Sequence, residues 1–213
     1  MRMADLATES GCTVSTIKYY LREGLLPSGE SRSATQADYG DAHLERLRVI
    51  RVLREVGDMP VSRIGEVLAA IDDSTRPIRE VIATAHHALG PERSDTSAEH
   101  AIARQEMVDH VLARGWNVDS AARSFDVLAG ALVALRGLGT NLGIDVFDTY
   151  ADVAFDIAEV ELASIDPSHG PSSTVTQVIV GTVVYEQALM ALRRLAEEHH
   201  SNRRFAGPSV LGG

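Results

Sequence analysis

Six hydroxyl, ammonium and phenol side chains crowd one short stretch near the start of the chain: Thr13, Ser15, Thr16, Lys18, Tyr19 and Tyr20. Ile17 and Leu21 stand four apart, so a helix from Val14 to about Glu23 turns them inward and leaves the polar groups outside. A helix that enters the major groove of duplex DNA needs hydrogen-bonding side chains near its N-terminal end and phosphate donors beside them. Ser15, Thr16 and Lys18 supply these, Thr13 is placed to cap the helix, and tyrosine hydroxyls can bond phosphate oxygens. Further downstream, Arg32, Ser33, Gln36 and Tyr39 offer a second group of such contacts. A plain solvated helix face is the competing reading of the same residue types. The order of the surrounding parts favours DNA.

Those parts are short and well punctuated. Met3 to Ser10 reads as a first helix with Leu6 and Ala7 inward, ended by Gly11. Gly24 stops the second helix, and Leu25 and Leu26 follow it. Pro27 to Asp38, rich in Ser, Gly, Thr and Gln, reads as a loop or wing. Asp41 can cap a third helix carrying Leu44, Leu47, Ile50 and Leu53 at helical spacing. Gly57–Asp58 turns the chain, and Val61 to Ile71 makes a fourth helix with Ile64, Val67, Leu68 and Ile71 inside.

This array, with T-I-K-Y-Y at Thr16–Tyr20 followed by G-L-L at Gly24–Leu26, resembles the N-terminal domain of the MerR family of transcription regulators over roughly 70 residues. The resemblance implies a winged helix-turn-helix that binds double-stranded DNA as a dimer. It also implies a bent and untwisted promoter, a deformation costing several kcal/mol, with RNA polymerase as a further partner there. Two departures matter. Lys18 stands where the family commonly has Arg, which loses the bidentate fork that reads guanine. The wing run Thr35–Tyr39 keeps the final Tyr but has Gln36 and Ala37 where the family pattern G-Y-R-x-Y has Tyr and Arg, so altered wing contacts are expected.

The family's dimer helix has its counterpart in the stripe Ile78, Val81, Ile82, Ala85 and Leu89, closed by Gly90–Pro91. About four turns is short for that task, so the second half of the chain is expected to contribute to the seam. Pro91–Thr96 reads as a linker. Helices are then expected at about 97–114, 119–137, 145–164 and 174–203, a bundle large enough for its own core. Val178 to Tyr185 in the last helix is apolar nearly all round, which suits a helix buried on several sides.

Chemistry in this half is sparse. Asp145, Asp148, Asp152, Asp156 and Glu159 recur at steps of three and four, a carboxylate stripe that is either a solvated face or an attractor for a cationic ligand. Adjacent histidines at 86–87 and 199–200 point about 100° apart on a helix and make poor metal clamps. The single cysteine, Cys12, excludes an intrachain disulfide and a Cys-rich zinc site. No nucleophile elbow, phosphate loop, zinc-protease or dinucleotide motif occurs. An internal apolar pocket with a few polar groups would serve a small-molecule effector. Its candidate residues are Trp116, Phe125, Phe147, Tyr150, Phe155 and Tyr185, with Arg136 and Asn141 near the glycine loop.

Charge divides along the chain. The net charge of −10 resides mainly beyond residue 76, while Thr13–Arg54 holds seven basic and five acidic side chains. That local excess is compatible with phosphate binding. No uninterrupted apolar run of about 18 residues and no signal pattern is seen, so a soluble, cytoplasmic protein without a membrane role is expected. The fold class expected is all-α with a minor β wing. Residues 1–74 form the winged helix-turn-helix DNA-binding domain, 75–96 a connecting helix and linker, and 97–213 an all-helical effector-binding and dimerisation domain. The function expected is that of a sequence-specific transcription regulator, a homodimer on its operator or promoter, controlled by a small-molecule effector and needing no cofactor, no metal and no catalytic residue. The alternative is a ligand-independent architectural or protein-interaction factor. An enzyme with a DNA-binding appendage would need a catalytic constellation for which no candidate stands out.

Overall fold

The computed structural model describes residues 1–33, 36–73, 75, 77–89, 95, 97–139, 142–166, 168 and 171–205. The first two helices, α1 (Met3–Ser10) and α2 (Val14–Arg22), join through a tight turn. Asp5 starts α1 by accepting from the Arg2 N–H at 2.9 Å, and Gly11 ends it at φ 68°. Arg51 secures that end: its Nη1 donates to the Ser10 carbonyl at 2.7 Å while Nε and Nη2 grip both oxygens of Glu55. The bidentate hydrogen bond from Arg51 holds the Glu55 carboxyl below its ordinary value.

Gly11 is therefore constrained twice. A Cβ there would lie 2.6 Å from Arg51 Nη1 and would sit on a left-handed backbone. Gly11→Ala should destabilise the protein by about 2–4 kcal/mol, from left-handed strain plus loss of a charge-assisted hydrogen bond. Urea denaturation checks this; a loss below about 0.5 kcal/mol, the range of a neutral surface change, would mean that the turn relaxes freely.

Beyond α2 the chain forms a hairpin of β1 (Glu30–Ser33) and β2 (Gln36–Asp38), antiparallel with Glu30 opposite Asp38 and Ser31 opposite Ala37. Helix α3 (Asp41–Arg51) follows. Its cap position is Gly40 rather than Asp41, because the His43 ring reaches back and accepts from the Gly40 N–H at 3.1 Å. Leu44, Leu47, Ile50 and Leu53 are all buried, as their spacing predicts. The helix runs on through one wide π turn, Val52–Val56, before Gly57 and Asp58, the latter at φ 48°, redirect the chain.

Two compact units make up the molecule. One is Met1–Val61 together with the chain from Ile179; the other is Ser62–Val178. In the first, Gly57 lies against α9 (Pro171–Phe205), so close that a Cβ on it would meet Val183 Cγ1 and the Leu53 carbonyl oxygen, each at 2.9 Å. In the second, α4 (Val61–Asp72) and α5 (Ile78–Leu89) are tied by Arg63, which donates to the Ala88 carbonyl at 2.9 Å. Helices α6 (Ala98–Ala113) and α7 (Ser124–Gly137) pack along their length around Ala103, Met107, Val108, Val111, Phe125, Ala129 and Leu132. Arg104 pins the start of α7 by pairing with Asp126 at 3.0 Å and donating to the Ser120 carbonyl at 2.9 Å. That hold on the loop is why α7 begins at Ser124 and not at 119.

Helix α8 (Asp148–Ala163) enters through a 3₁₀ turn at Ile144–Phe147 and contains no buried residue. Pro171 opens α9, a first-turn position where its missing N–H costs nothing. Among the described residues the regular structure is helical apart from the hairpin, in keeping with the all-α expectation. By length and composition α9, from Ser173 to Phe205, is apolar enough to cross a membrane, which the sequence pattern did not suggest.

Candidate nucleic-acid interface and ligand cleft

The first site is built on α2. Thr13 caps it, its hydroxyl accepting from the Thr16 N–H at 3.1 Å and bridging the Ser15 and Thr16 hydroxyls at 2.8 Å each. This satisfies part of the helix's free N-terminal donors and orients both hydroxyls together. Ile17 and Tyr20 form the inward face. The Tyr20 carbonyl also accepts from the Leu25 and Leu26 N–H groups, and Arg46 Nε donates to the Leu25 carbonyl at 3.0 Å. The E-G-L-L turn is thus bolted to α3, with Leu25 and Leu26 in the core.

What remains outside is a stripe. Ser15, Lys18 and Arg22 are exposed at steps of three and four, and Tyr19 is half-buried beneath the Arg22 guanidinium, 5.3 Å from its ring centroid. Arg22 was missed from sequence, although it lies one turn beyond Lys18 and shares its face. Two expected contacts move inward. Tyr20 is 7% exposed, and burial, with Cys12 beside it as the second cause, pushes its hydroxyl above the ordinary phenol value. Tyr20 takes the core place expected of Leu21, since i+3 and i+4 share a helix face. Tyr39 is 6% exposed, its ring edge-on to His43 and its carbonyl accepting from the Met1 ammonium at 2.7 Å. Both rings support the surface rather than form it. Arg32, Ser33 and Gln36 lie on the hairpin strands, and their side chains fall outside the described residues.

Most of the candidate ligand residues do not converge. Phe125 is core, and Phe147 packs partly buried against the same cluster. Arg136 is exposed and grips Glu106 at 2.6 Å; that bond lowers the glutamate's pKa. Tyr150 is 55% exposed, Tyr185 lies in the other compact unit, and Asn141 is outside the described residues. Trp116 and Phe155 do meet, lining an open cleft of about 360 Å³ with Arg114, Asp152 and Asp156. The Trp116 and Phe155 rings stand 5.8 Å apart, tilted by 38°. Arg114 donates to Asp148 at 2.9 Å and pairs with Asp152. One guanidinium thus pairs with Asp148 and Asp152 in a cleft that Asp156 also lines, three of the five carboxylates of the stripe seen in the sequence. Among the described residues no group of His, Cys, Asp and Glu is placed to hold a metal ion.

A capped second helix, a polar stripe on it and a following hairpin define a winged helix-turn-helix protein with a helical extension. Residues 1–71 match the family model described as MerR HTH family regulatory protein. The chain belongs to the MerR family. It is 35% identical over 81 residues to the HTH-type transcriptional regulator ZntR homolog of Haemophilus influenzae, a stretch covering 38% of this chain and 59% of that protein. It is 32% identical over 83 residues to the mercuric resistance operon regulatory protein of Serratia marcescens, covering 39% and 56%. The chain therefore spans less than two thirds of the length of these relatives. A crystal structure of a Streptomyces coelicolor A3(2) protein described as a transcriptional regulator is similar over 98% of this chain and 99% of that one, with 32% identity and a TM-score of 0.71.

Proposed function

We propose that the protein is a homodimeric, sequence-specific DNA-binding transcription regulator whose helical part responds to a small molecule. The observation that carries the DNA reading is the exposed Ser15–Lys18–Arg22 stripe on a helix fixed from behind by Ile17, Tyr20 and the Arg46 hydrogen bond. Rigid support matters because base and phosphate contacts need side chains held in register with the groove. The wing hairpin supplies backbone-phosphate contacts beside it. A twofold protein reads a near-palindromic site, and RNA polymerase is the expected neighbour at a promoter. Domain limits at 1–74, 75–96 and 97–213 remain the functional division we adopt. Sequencing the genomic fragments that the purified protein retains tests this reading. Enrichment of one near-palindromic element supports it, and uniform retention of all fragments overturns it.

The effector site proposed is the Trp116 cleft. Trp has the best ring face for a cation, and the surplus of carboxylates around Arg114 favours a positively charged ligand over an anion. Binding there would favour one dimer geometry over another and so change operator affinity. Aromatic ammonium compounds should quench or shift Trp116 emission and alter operator affinity, while aromatic carboxylates of equal size should do neither. Asp156→Asn should weaken the ammonium response about two- to fivefold, the range of one exposed ion pair. An equal response to both classes would remove charge selection from the cleft. The second reading, a ligand-independent architectural or protein-interaction factor, draws on α8, which exposes Tyr150, Val153, Phe155, Val160 and Leu162. No compound of either class changing emission or affinity would favour it.

A further inference from the structure

Every residue from Val184 to Phe205 is exposed, 22 in a row on one continuous helix. This segment of α9 is not a polar arm. Tyr185, Leu189, Leu192 and Leu195 recur at steps of four and three, with Leu189 at 41%, Leu192 at 63% and Leu195 at 61% exposure. A row of that kind along one face of a helix is the pattern of a helix–helix seam. Most helical stability in proteins comes from packing of an amphipathic face, and among the described residues of one chain this arm's face packs on nothing.

We propose that a second copy of this chain covers the segment, with the two α9 helices antiparallel and Val184–Phe205 overlapping end to end. The inference rests on the homodimer reading above and names its seam. Three observations select the second copy and the direction. First, charge: full antiparallel overlap brings Glu186 level with Arg203 of the second copy, and brings Arg193, which pairs with Glu197 of its own helix, within a residue of the opposite Glu197. Parallel in-register pairing would set each of these blocks against itself, which is repulsive. In this register Leu195 lies beside its own copy at the centre of the overlap, while Leu192 lies opposite Glu197.

Second, extent: the free arm has 22 residues a side, of which about four in seven can face a partner helix. Helix α5, which the family resemblance assigns to the dimer, has only 12 residues. Third, span: the free segment is about 33 Å long at 1.5 Å per residue. Its root, Val183, packs on Gly57 in the same compact unit as α2. Two roots at opposite ends of the overlap therefore stand about 33 Å apart, close to the roughly 34 Å that separates half-sites on one DNA turn.

The test uses the full chain. Sedimentation at micromolar concentration should show a dimer, and the variant Leu189→Glu/Leu192→Glu/Leu195→Glu should show a monomer with unchanged far-UV helicity at low temperature apart from fraying of this arm. The variant's affinity for a full operator should fall about 100-fold while half-site binding persists, as expected when the second reader is no longer tethered. Direction is tested by disulfide trapping in a Cys12→Ser background. A protein carrying both Glu186→Cys and Arg203→Cys should cross-link to covalent dimers under mild oxidation, and each single variant should not. A dimeric triple-Glu variant, or self-linking by Glu186→Cys alone, overturns the seam or its direction and leaves the homodimer reading standing. A monomeric wild-type chain overturns both. Cosedimentation of the wild-type arm with phosphatidylcholine–phosphatidylglycerol vesicles, lost in the triple-Glu variant, would assign the apolar face to a membrane and overturn the proposal.

Discussion

Lys18→Ala combined with Arg22→Ala is expected to flatten the salt dependence of operator binding and to lower affinity steeply. Each neutralised phosphate contributes about 0.9 to the slope of log affinity against log salt. Two lost contacts per reader reduce the slope by about 1.8, and a dimer with two readers by about 3.6. Near 0.15 M salt that corresponds to roughly 30-fold per reader and about 10³-fold for the pair, from counterion release alone. Tyr19→Ala should add to the loss by removing the surface over which the Arg22 guanidinium is held at 5.3 Å. Fluorescence anisotropy titrations between 50 and 200 mM salt, in the range where such slopes are read, check this. An unchanged slope would take the stripe out of the interface. A slope change of about 1.8 in place of 3.6 would mean that one reader contacts the site or that one of the two side chains in each reader does, and the single variants separate these.

Tyr20 should behave in the opposite manner, and the contrast tests whether it supports the surface or forms it. Tyr20→Phe keeps the ring and should leave both affinity and salt slope within error of wild type. Tyr20→Ala opens a cavity behind α2 and should cost about 3–5 kcal/mol of stability, the range for large aromatic truncations in cores. That loss is a large fraction of the stability of an ordinary domain, so operator binding should fall with the folded fraction and recover at low temperature or on added osmolyte. If Tyr20→Phe weakens binding tenfold with stability unchanged, the hydroxyl touches DNA and its burial in the free protein is not the bound arrangement.

Much of the reader was legible because its information is local. Gly11, Thr13 and Gly24 punctuate α1 and α2, and Leu44, Leu47, Ile50 and Leu53 mark the inner face of α3 by spacing alone. Lys18 and Ser15 follow from the same periodicity, as Arg22 would have. The choice between Tyr20 and Leu21 for the core was not local. Both sit on one face relative to Ile17, and the decision falls to the backbone bonds from Leu25 and Leu26 and to the packing of α3 behind them. Tyr39 is similar: its aromatic type suits a wing or a core, and only the Met1 and His43 contacts distinguish them.

By itself, then, the sequence determined the class of the protein, its helical plan and the polar stripe of α2, because each depends on neighbours within a turn or two. The tertiary structure alone decided which aromatic residues meet. Trp116 and Phe155 stand on different elements, with no periodicity linking them, and Arg114 finds Asp148 and Asp152 only because α6 ends where α8 begins to pass. It also decided that an apolar helix emerges uncovered after Val183. From Val184 to Leu192 the chain stays largely apolar, as before Val183, and there what separates buried from exposed is the reach of the unit around Gly57, whereas the charged run from Arg193 marks an exposed end in the sequence itself.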